Sequence, residues 1–338
     1  MAAAPAFLII QTAFIGDVVL ATALAEKLHH HLPEASIDFL LRKGNEDLLK
    51  GHPFLRNVIV WDKKKGKLKN LFRLIRQVRA TRYNYVINVH RFASSGLITA
   101  LSGARVTVGF DKNPLSRFFT KNKRHTLAKG VHEVQRNQTL IAEITDEHPA
   151  KPRLYPSQAD EAAIMKYRLR GASAISYICI APASVWFTKQ FPKEKWIAFI
   201  DQLNPELYTV YLLGASSDKE YAEAIRSATK HPGVVNLSGT LSFLESAALM
   251  QYAVMNFVND SAPLHLASSV NAPVTAVFCS TVPDFGFGPL SDLSFIVETM
   301  EVLSCRPCGL HGFKACPQGH FKCALTITNE QLLNSFGN

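Results

Sequence analysis

The sequence predicts an α/β protein built from two domains, each containing a parallel sheet. Short apolar runs alternate with helical patterns along nearly the whole chain, and a proline-rich stretch divides it near its middle. Such alternation is typical of strands that are joined by crossover helices. The length of 338 residues also fits two domains.

The apolar runs that predict strands are short and rich in branched side chains. They are Phe7–Ile10, Ile37–Leu41, Val58–Trp61, Tyr85–Val89 and Val106–Gly109, then Tyr177–Ile180, Tyr208–Leu213, Val254–Val258 and Val274–Phe278. Between these runs, apolar residues recur at helical spacing and predict helices. The predicted helices are Val18–His30, Lys67–Arg82, Lys193–Gln202, Asp218–Thr229, Ser242–Gln251 and Ala262–Ser269. Ligands bind at the carboxyl ends of parallel strands, so the strand-to-helix loops are the candidate sites.

The proline-rich stretch covers residues 147–156 and contains Pro149, Pro152 and Pro156. Proline stiffens an extended chain, so this stretch predicts a linker. We therefore expect domains at residues 1–150 and 157–338 that face each other across a cleft. The last helix is a candidate to pack back on the first domain.

Composition excludes several classes of protein. A hydrophobic share of 47% with 19% charged residues excludes wholesale disorder. No apolar run is long enough to span a membrane. The apolar N-terminus has no basic segment before it and is interrupted by Gln11 and Asp17, unlike a signal peptide. Six cysteines are too few for a disulfide scaffold and indicate a reducing compartment, so we expect a cytoplasmic protein.

Most of the formal net charge of +10 comes from one segment, residues 63–82. This segment contains no acidic residue. Its basic residues are Lys63, Lys64, Lys65, Lys67, Lys69, Arg73, Arg76, Arg79 and Arg82. Apolar residues recur there at helical spacing, which predicts an amphipathic helix with a basic outer face. Its expected partners are polyanions, namely phosphorylated lipid headgroups, a phosphorylated glycan or nucleic acid. The alternative is a solvated basic face.

Several common motifs are absent. The chain has no G-x-G-x-x-G after a strand, no phosphate-binding P-loop motif, and neither H-E-x-x-H nor G-x-S-x-G. It also lacks a D-x-D pair, which many glycosyltransferases use to hold a metal–diphosphate complex. Three loops with unusual polar content remain.

The first loop, residues 11–17, lies between the first strand and the first helix. Gly16 permits a tight turn, and Asp17 stands at the helix start. A carboxylate there can act as a general base toward a hydroxyl group. The alternative is that Asp17 only caps the helix.

The second loop, residues 181–196, offers the hydroxyls of Ser184 and Thr188 and the ammonium of Lys189 ahead of a helix. Such donors suit a diphosphate. The alternative is a surface loop with Trp186 and Phe191 packed inward.

The third loop, residues 259–267, joins an apolar strand to a helix. The backbone amides of Ser261 and Ala262 can bind an anion, and Asp260 can accept hydrogen bonds from sugar hydroxyls. The alternative is helix capping by Asp260 or Ser261, with His265 in the core.

Together the motifs resemble those of one family. They are Phe-Ile-Gly-Asp at 14–17, Ser-x-Trp-x-x-Lys-x-Phe-Pro at 184–192 and Asn-Asp-Ser-x-Pro-Leu-His at 259–265. In order and spacing they resemble glycosyltransferase family 9, the ADP-heptose:lipopolysaccharide heptosyltransferases, and especially the heptosyltransferase II type. The resemblance covers nearly the whole chain. It implies a GT-B fold of two Rossmann-like domains, with the acceptor bound by the first and the nucleotide sugar by the second.

The resemblance also implies a reaction. It is the metal-independent, inverting transfer of heptose from ADP-L-glycero-D-manno-heptose to the inner core of lipopolysaccharide, with no cofactor. Asp17 is then the base, and Lys189 stabilises the departing ADP. The implied donor-binding residues are Ser184, Thr188, Thr240, Leu241, Asp260, Ser261, Ala262 and His265. Many family members have glycine where this chain has Ala262, which is less permissive for close phosphate approach.

The implied acceptor is an anionic lipid-linked glycan at the inner face of the inner membrane. Lys63, Lys64, Arg42 and Arg91 are candidates to bind its phosphates or carboxylates, with reversible contact to the membrane. Three other hypotheses about the function remain. The protein is a related transferase for another nucleotide sugar, a nucleic-acid-binding protein, or a non-catalytic sugar-nucleotide sensor. Few aromatic residues accompany the basic segment, which disfavours nucleic acid.

A cysteine-rich segment near the C-terminus has the ligand count of a zinc site. It contains Cys305, Cys308, Cys316 and Cys323, with His311 and His320 among them. Reduced thiols or a local disulfide are the favoured alternatives, and no catalytic metal is expected.

Overall fold

The computed structural model describes residues 4–64, 66–169 and 176–335. Lys65, one of the basic residues singled out above, lies outside them. The chain divides into two compact units, Met1–Tyr155 and Pro156–Asn338. Each is built on a six-stranded sheet in which every strand pair is parallel. The predicted α/β class with two parallel sheets is therefore confirmed.

The first unit has strand order β3-β2-β1-β4-β5-β6. The chain moves outward from β1 to β3 and returns to place β4 on the other side of β1, so the order reverses between β1 and β4. Its strands are β1 Ala6–Ile10, β2 Ser36–Arg42, β3 Leu55–Trp61, β4 Tyr85–Asn88, β5 Val106–Phe110 and β6 Lys121–Lys123. Its helices are α1 Ile15–His31, α2 Lys67–Thr81, α3 Ala93–Ala100 and α4 Glu133–Gln138, with 3₁₀ turns at Glu46–Leu49, Ser116–Phe118 and Ala142–Ile144.

Two helices of the first unit bury different amounts of surface. Val18 through Ala25 of α1 are all buried, which fits a helix that is apolar on every side. In α2 the buried residues recur every three or four positions, at Leu71, Leu74, Ile75 and Val78, and pack on the sheet residues Leu8, Ile10 and Leu40.

No helix in the described part of the chain combines the length and apolar character needed to cross a bilayer.

The second unit repeats the scheme with strand order β12-β11-β10-β7-β8-β9, and its order reverses between β7 and β10. Its strands are β7 Ser176–Ala181, β8 Tyr208–Leu212, β9 Val234–Asn236, β10 Asn256–Asn259, β11 Val274–Phe278 and β12 Ser294–Glu298. Its helices are α5 Gln158–Arg168, α6 Lys193–Ile200, α7 Lys219–Ala228, α8 Phe243–Gln251, α9 Ala262–Ser269, α10 Lys322–Leu325 and α11 Asn329–Asn334, with 3₁₀ turns at Phe187–Lys189, Ser216–Asp218 and Pro283–Phe285. Aromatic residues such as Phe191, Trp196 and Phe257 fill its core.

The stretch that suggested a linker is attached to the first unit over most of its length. Buried Lys27 of α1 donates to the carbonyl of His148, and it also binds Asp146, just before the stretch, with an Nζ–Oδ1 distance of 2.5 Å. The Arg153 amide donates to the Thr22 hydroxyl at 2.9 Å, and the Tyr155 hydroxyl donates to the carboxylate of Glu26. These hydrogen bonds hold residues 153 and 155 along α1. That the proline-rich stretch links two domains stays a prediction.

Candidate active site

Asp17 lies in the first turn of α1, just past the carboxyl end of β1. It is half-buried, and its Oδ2 accepts a hydrogen bond from the Phe14 amide at 3.2 Å. Burial and the nearby charge of Glu133 raise its pKa to about 6, against the opposing effects of that amide and Lys112. The carboxylate therefore helps to cap the helix and is also tuned to accept a proton near neutral pH.

Two charged residues that the sequence analysis did not single out, Glu133 and Lys112, act on Asp17. Glu133 begins α4 and accepts a hydrogen bond from Arg136 Nε at 2.8 Å. Burial opposes ionisation of Glu133, but His125, Arg136 and Lys112 together hold its pKa below the ordinary value. Glu133 is therefore an anion, and it is the charge that makes Asp17 harder to ionise. Lys112 could have been found, because it closely follows a predicted strand; Glu133 carries no local sequence signal.

The predicted acceptor residue Lys63 reaches the same edge of the first sheet. Its ammonium donates to the backbone carbonyl of Thr12 at 3.0 Å and to the Thr12 hydroxyl at 3.1 Å. That hydroxyl lies 2.9 Å from Nδ1 of His90, at the end of β4. Burial, followed by the charges of Lys63, Arg91, Lys112 and Arg42, lowers the pKa of His90 to about 3. His90 is therefore a neutral group surrounded by cations.

The other predicted acceptor residues occupy this edge in different ways. Arg42, at the end of β2, places its guanidinium carbon 5.0 Å from the ring centre of Phe14. Arg91 lies 5.4 Å from the ring centre of Phe92 and adds to the positive potential at His90. Lys64 is exposed, and its amide donates to the side chain of Asp62. The structure thus brings Arg42, Lys63 and Arg91 to one electropositive edge and leaves the Lys64 side chain at the surface.

In the second unit, the two polar loops are joined by Asn259. Its side-chain amide is buried at the end of β10 and donates to the carbonyl of Pro182 at 2.8 Å. Its carbonyl oxygen accepts from the amide of Phe191 at 2.9 Å. A single side chain therefore fixes the loop after β7 against the loop after β10.

Lys189 and Asp260, one from each of these loops, form an ion pair. The Nζ–Oδ2 distance is 2.6 Å, and the two side chains are 15% and 8% exposed. The Thr281 hydroxyl, after β11, donates to the same Asp260 oxygen at 2.6 Å. The sequence assigned these two residues separate roles toward a donor, and the structure places them in contact with each other.

The N-terminus of α9 lies beside this pair. Ser261 is its N-cap, and the Ser261 side chain does not bond to the first-turn amides. Pro263, in the first turn, has no N–H group, which leaves the amides of Ser261 and Ala262 as the candidate anion donors. His265 is buried in α9 with its ring 6.4 Å from that of Phe287. His265 therefore occupies the position of a core histidine, which was the alternative to a role in donor binding.

The remaining predicted donor residues differ in accessibility. Thr188 is buried, and its hydroxyl accepts from the Phe313 amide at 2.7 Å and from the Ser280 hydroxyl at 3.0 Å. Ser184 is half-buried, and its amide donates to Gln190. Thr240 is exposed and Leu241 half-buried in the loop between β9 and α8. Thr188 therefore braces the loop, and its hydroxyl does not face an open surface.

This arrangement can be compared with known proteins. The profile of glycosyltransferase family 9 (heptosyltransferase) matches residues 71–309. The chain belongs to glycosyltransferase family 9. It is therefore a glycosyltransferase, and the resemblance noted in the sequence is confirmed.

Family 9 relatives match most of the chain. Lipopolysaccharide heptosyltransferase 3 of Escherichia coli is 27% identical over 277 residues, which cover 79% of this chain and 82% of that protein. The structure of E. coli ADP-heptose lps heptosyltransferase II matches with a TM-score of 0.80 and 20% identity over 97% of this chain and 96% of the other. The structure of E. coli heptosyltransferase WaaC with ADP-2-deoxy-2-fluoro heptose matches with a TM-score of 0.71 and 19% identity, over 97% of this chain and 98% of the other. The two parallel sheets and these likenesses confirm the predicted GT-B fold.

The cysteine-rich segment of this family 9 chain packs against the Lys189 site. The Arg306 guanidinium donates to the carbonyls of Cys279 and Thr281, each at 2.8 Å, and the Cys308 amide donates to the carbonyl of Ser280 at 2.8 Å. Phe313 pairs with Thr188 through both backbone and side chain. The segment therefore supports the loops that carry Lys189 and Thr281.

The cysteines themselves are free thiols. The Cys305 sulfur lies 3.8 Å from Nε2 of His320, yet no group of three or more His, Cys, Asp or Glu side chains among the described residues is arranged to hold a metal ion. Burial, followed by the charges of the other cysteines of this segment, raises the pKa of the Cys308 and Cys323 thiols, so the four cysteines lie near one another. That they hold a structural zinc stays a prediction.

Proposed function

We propose that this glycosyltransferase moves a heptose from ADP-L-glycero-D-manno-heptose to the inner core of lipopolysaccharide. Relatives named lipopolysaccharide heptosyltransferase support the acceptor class. The solved structure of E. coli heptosyltransferase WaaC with ADP-2-deoxy-2-fluoro heptose, which has the same fold, supports the donor class. The observation that carries the proposal is Asp17, a carboxylate with a pKa near 6 at an electropositive sheet edge.

In the proposed reaction, Asp17 removes the proton from the attacking hydroxyl of the acceptor. The hydroxyl oxygen forms a bond to the anomeric carbon of the heptose as the bond from that carbon to the ADP oxygen breaks. ADP leaves with the electron pair, and a single displacement inverts the configuration at the anomeric carbon. A base with a pKa near the working pH is efficient in such a step.

The second unit supplies groups for the charge on the departing ADP. Lys189 offers a fixed ammonium, and the α9 amides of Ser261 and Ala262 point from a helix N-terminus. We propose that the donor diphosphate competes with Asp260 for Lys189, and that Asp260 then accepts hydrogen bonds from heptose hydroxyls. These groups can serve without a metal ion, which supports the metal-independent mechanism.

The first unit is proposed to bind the anionic acceptor through Arg42, Lys63 and Arg91. These residues sit at the edge where Asp17 lies, and together they lower the pKa of His90. A phosphorylated or carboxylated sugar placed there would be attracted by several cations at once. The same field disfavours a neutral acceptor.

The test is release of ADP from ADP-heptose in the presence of a heptose-deficient lipopolysaccharide. We expect turnover that survives EDTA, and loss of turnover in Lys189→Ala but not in Lys193→Ala, an exposed lysine of the neighbouring helix. Turnover abolished by EDTA and restored by a divalent cation would contradict metal independence. Absence of turnover, with no effect of ADP-heptose on the melting temperature, would contradict the donor.

A further inference from the structure

One face of α2 is exposed and has no role in the proposed reaction. We call it the α2 surface; it comprises Leu68, Lys69, Phe72, Arg73, Arg76 and Arg79, all exposed. Leu68 and Phe72, four positions apart, are neighbours on the helix, and their side chains are 68% and 58% exposed. The opposite face of α2 is buried against the sheet.

The charges of the α2 surface are uncompensated. The helix contains no acidic residue, and the described residues place no carboxylate within ion-pair distance of Lys69, Arg73, Arg76 or Arg79. Such a concentration of like charge is unfavourable for a protein alone and favourable beside a polyanion. A partner rich in phosphate therefore fits this surface.

The apolar pair distinguishes between phosphate-rich partners. If α2 only presented a solvated basic face, a leucine and a phenylalanine exposed side by side would be unfavourable, because their apolar surface stays in contact with water. At an anionic bilayer, the same helix buries its apolar side chains at the boundary between headgroups and acyl chains while arginine and lysine contact lipid phosphates. The α2 surface combines both features.

We propose that the α2 surface docks the protein on an anionic lipid bilayer, with Leu68 and Phe72 inserted and the four basic side chains bound to lipid phosphates. In the first unit, β3 ends at Trp61 and α2 begins at Lys67, so the first turns of α2 start at the carboxyl edge of the sheet that also carries Asp17. Docking by these turns holds that edge at the membrane. Only this benefit for a lipid-linked acceptor depends on the proposed function; the docking itself does not.

The test is flotation of the full chain with phosphatidylcholine vesicles, with and without phosphatidylglycerol. We expect binding only to the anionic vesicles and loss of binding at high salt. Arg73→Gln with Arg76→Gln lowers the partition coefficient roughly 30-fold, since each basic residue near an anionic surface contributes about a factor of five. Leu68→Ser with Phe72→Ser lowers it at least about tenfold.

Two matched controls lie in the second unit. Leu169→Ser removes a side chain that is also 68% exposed, and Lys219→Gln with Lys230→Gln removes two exposed charges. We expect both to bind vesicles as the unchanged protein does. Each variant is checked for folding by circular dichroism and by the ADP-heptose melting shift, which separates failure of docking from failure of the proposed donor site.

Three results would overturn the proposal. The first is equal binding to neutral and anionic vesicles, and the second is an equal loss of vesicle binding in the α2 and control variants. The third is tight, salt-sensitive binding to a DNA duplex together with unchanged vesicle binding of the Leu68→Ser, Phe72→Ser variant. That pattern would make the α2 surface a general polyanion site that does not enter a bilayer.

Discussion

The ammonium of Lys189 lies 2.6 Å from the carboxylate of Asp260, and both side chains are largely shielded from water. Each group neutralises the other at the site where a donor diphosphate is proposed to bind. The Thr281 hydroxyl fixes Asp260 from a third loop. This pair therefore keeps the charged residues of the proposed donor site in place without a donor, and a diphosphate bound there would offer Lys189 a second anion.

Removal of one partner of this pair is expected to destabilise the protein. Lys189→Met leaves the Asp260 carboxylate poorly solvated and unpaired, with a cost of about 3 kcal/mol in the free energy of unfolding. The double variant Lys189→Met, Asp260→Leu removes both charges and should recover much of that loss. Urea unfolding monitored by fluorescence measures both.

The exposed pair Arg226–Glu223 provides the control, since its side chains are each 45% exposed. Glu223→Gln should cost no more than about 1 kcal/mol, because water compensates the loss. Equal costs for Lys189→Met and Glu223→Gln would contradict a structural role for the buried pair.

Replacement of Asp17 by asparagine is expected to stabilise the protein at neutral pH. The pKa of Asp17 is raised from 3.8 to about 6 on folding, so folding disfavours its ionised form. The cost is absent below about pH 4 and fully present above about pH 6. The gain in unfolding free energy for Asp17→Asn should therefore grow to about 2 kcal/mol between these limits, after allowance for partial exposure. A gain that does not change with pH would contradict the raised pKa.

Replacing Glu133 and replacing Lys112, two neighbours of Asp17, are expected to shift the acid limb of the pH–rate profile in opposite directions. If Asp17 is the base, kcat/KM rises with pH and levels above about pH 6. Glu133→Gln removes an anion that raises the pKa of Asp17, so the limb moves to lower pH. Lys112→Met removes a cation that lowers it, so the limb moves to higher pH. Shifts in the same direction would contradict this electrostatic account.

The Thr188 hydroxyl is expected to be a brace for the donor loop. Thr188→Val leaves the Phe313 amide and the Ser280 hydroxyl without this acceptor, at a cost of about 1–3 kcal/mol. Displacement of the adjacent Lys189 should also weaken ADP-heptose binding, measured by calorimetry. Thr188→Ser keeps the hydroxyl and should bind the donor nearly as the unchanged protein does. Weakened binding in Thr188→Ser together with unchanged binding in Thr188→Val would indicate that the methyl group, not the hydrogen bonds, matters.

Strands that are buried on both faces were predictable, because parallel strands read as continuous apolar runs. Strand β6, Lys121–Lys123, was not, since it is a polar edge strand whose one partner in the described part of the chain is β5. The short edge strand β9 and the β12 edge of the second sheet were also missed. A polar edge strand such as β6 needs no apolar pattern, so periodicity alone does not reveal it. Strand β12 does contain an apolar run at residues 295–297 and was open to prediction.

The candidate site was predictable in its loops but not in its contacts. Asp17, Lys189 and Asp260 follow strands, and the rule for parallel sheets places each of them at the carboxyl edge of its own sheet. Their partners depend on tertiary packing: Glu133 is 116 positions from Asp17, and Lys189 meets Asp260 across two loops. The bracing roles of Asn259 and Thr188 likewise arise from packing alone.

Asp17 is the proposed catalytic base of this glycosyltransferase. A direct test compares ADP release by Asp17→Asn and Asp160→Asn, because Asp160 holds the same first-turn position in α5 and also accepts from its N-cap amide. We expect Asp17→Asn to lose about 10²–10⁴-fold in kcat while ADP-heptose still raises its melting temperature, and Asp160→Asn to turn over nearly normally. Near-normal turnover of Asp17→Asn would show that Asp17 is not the base.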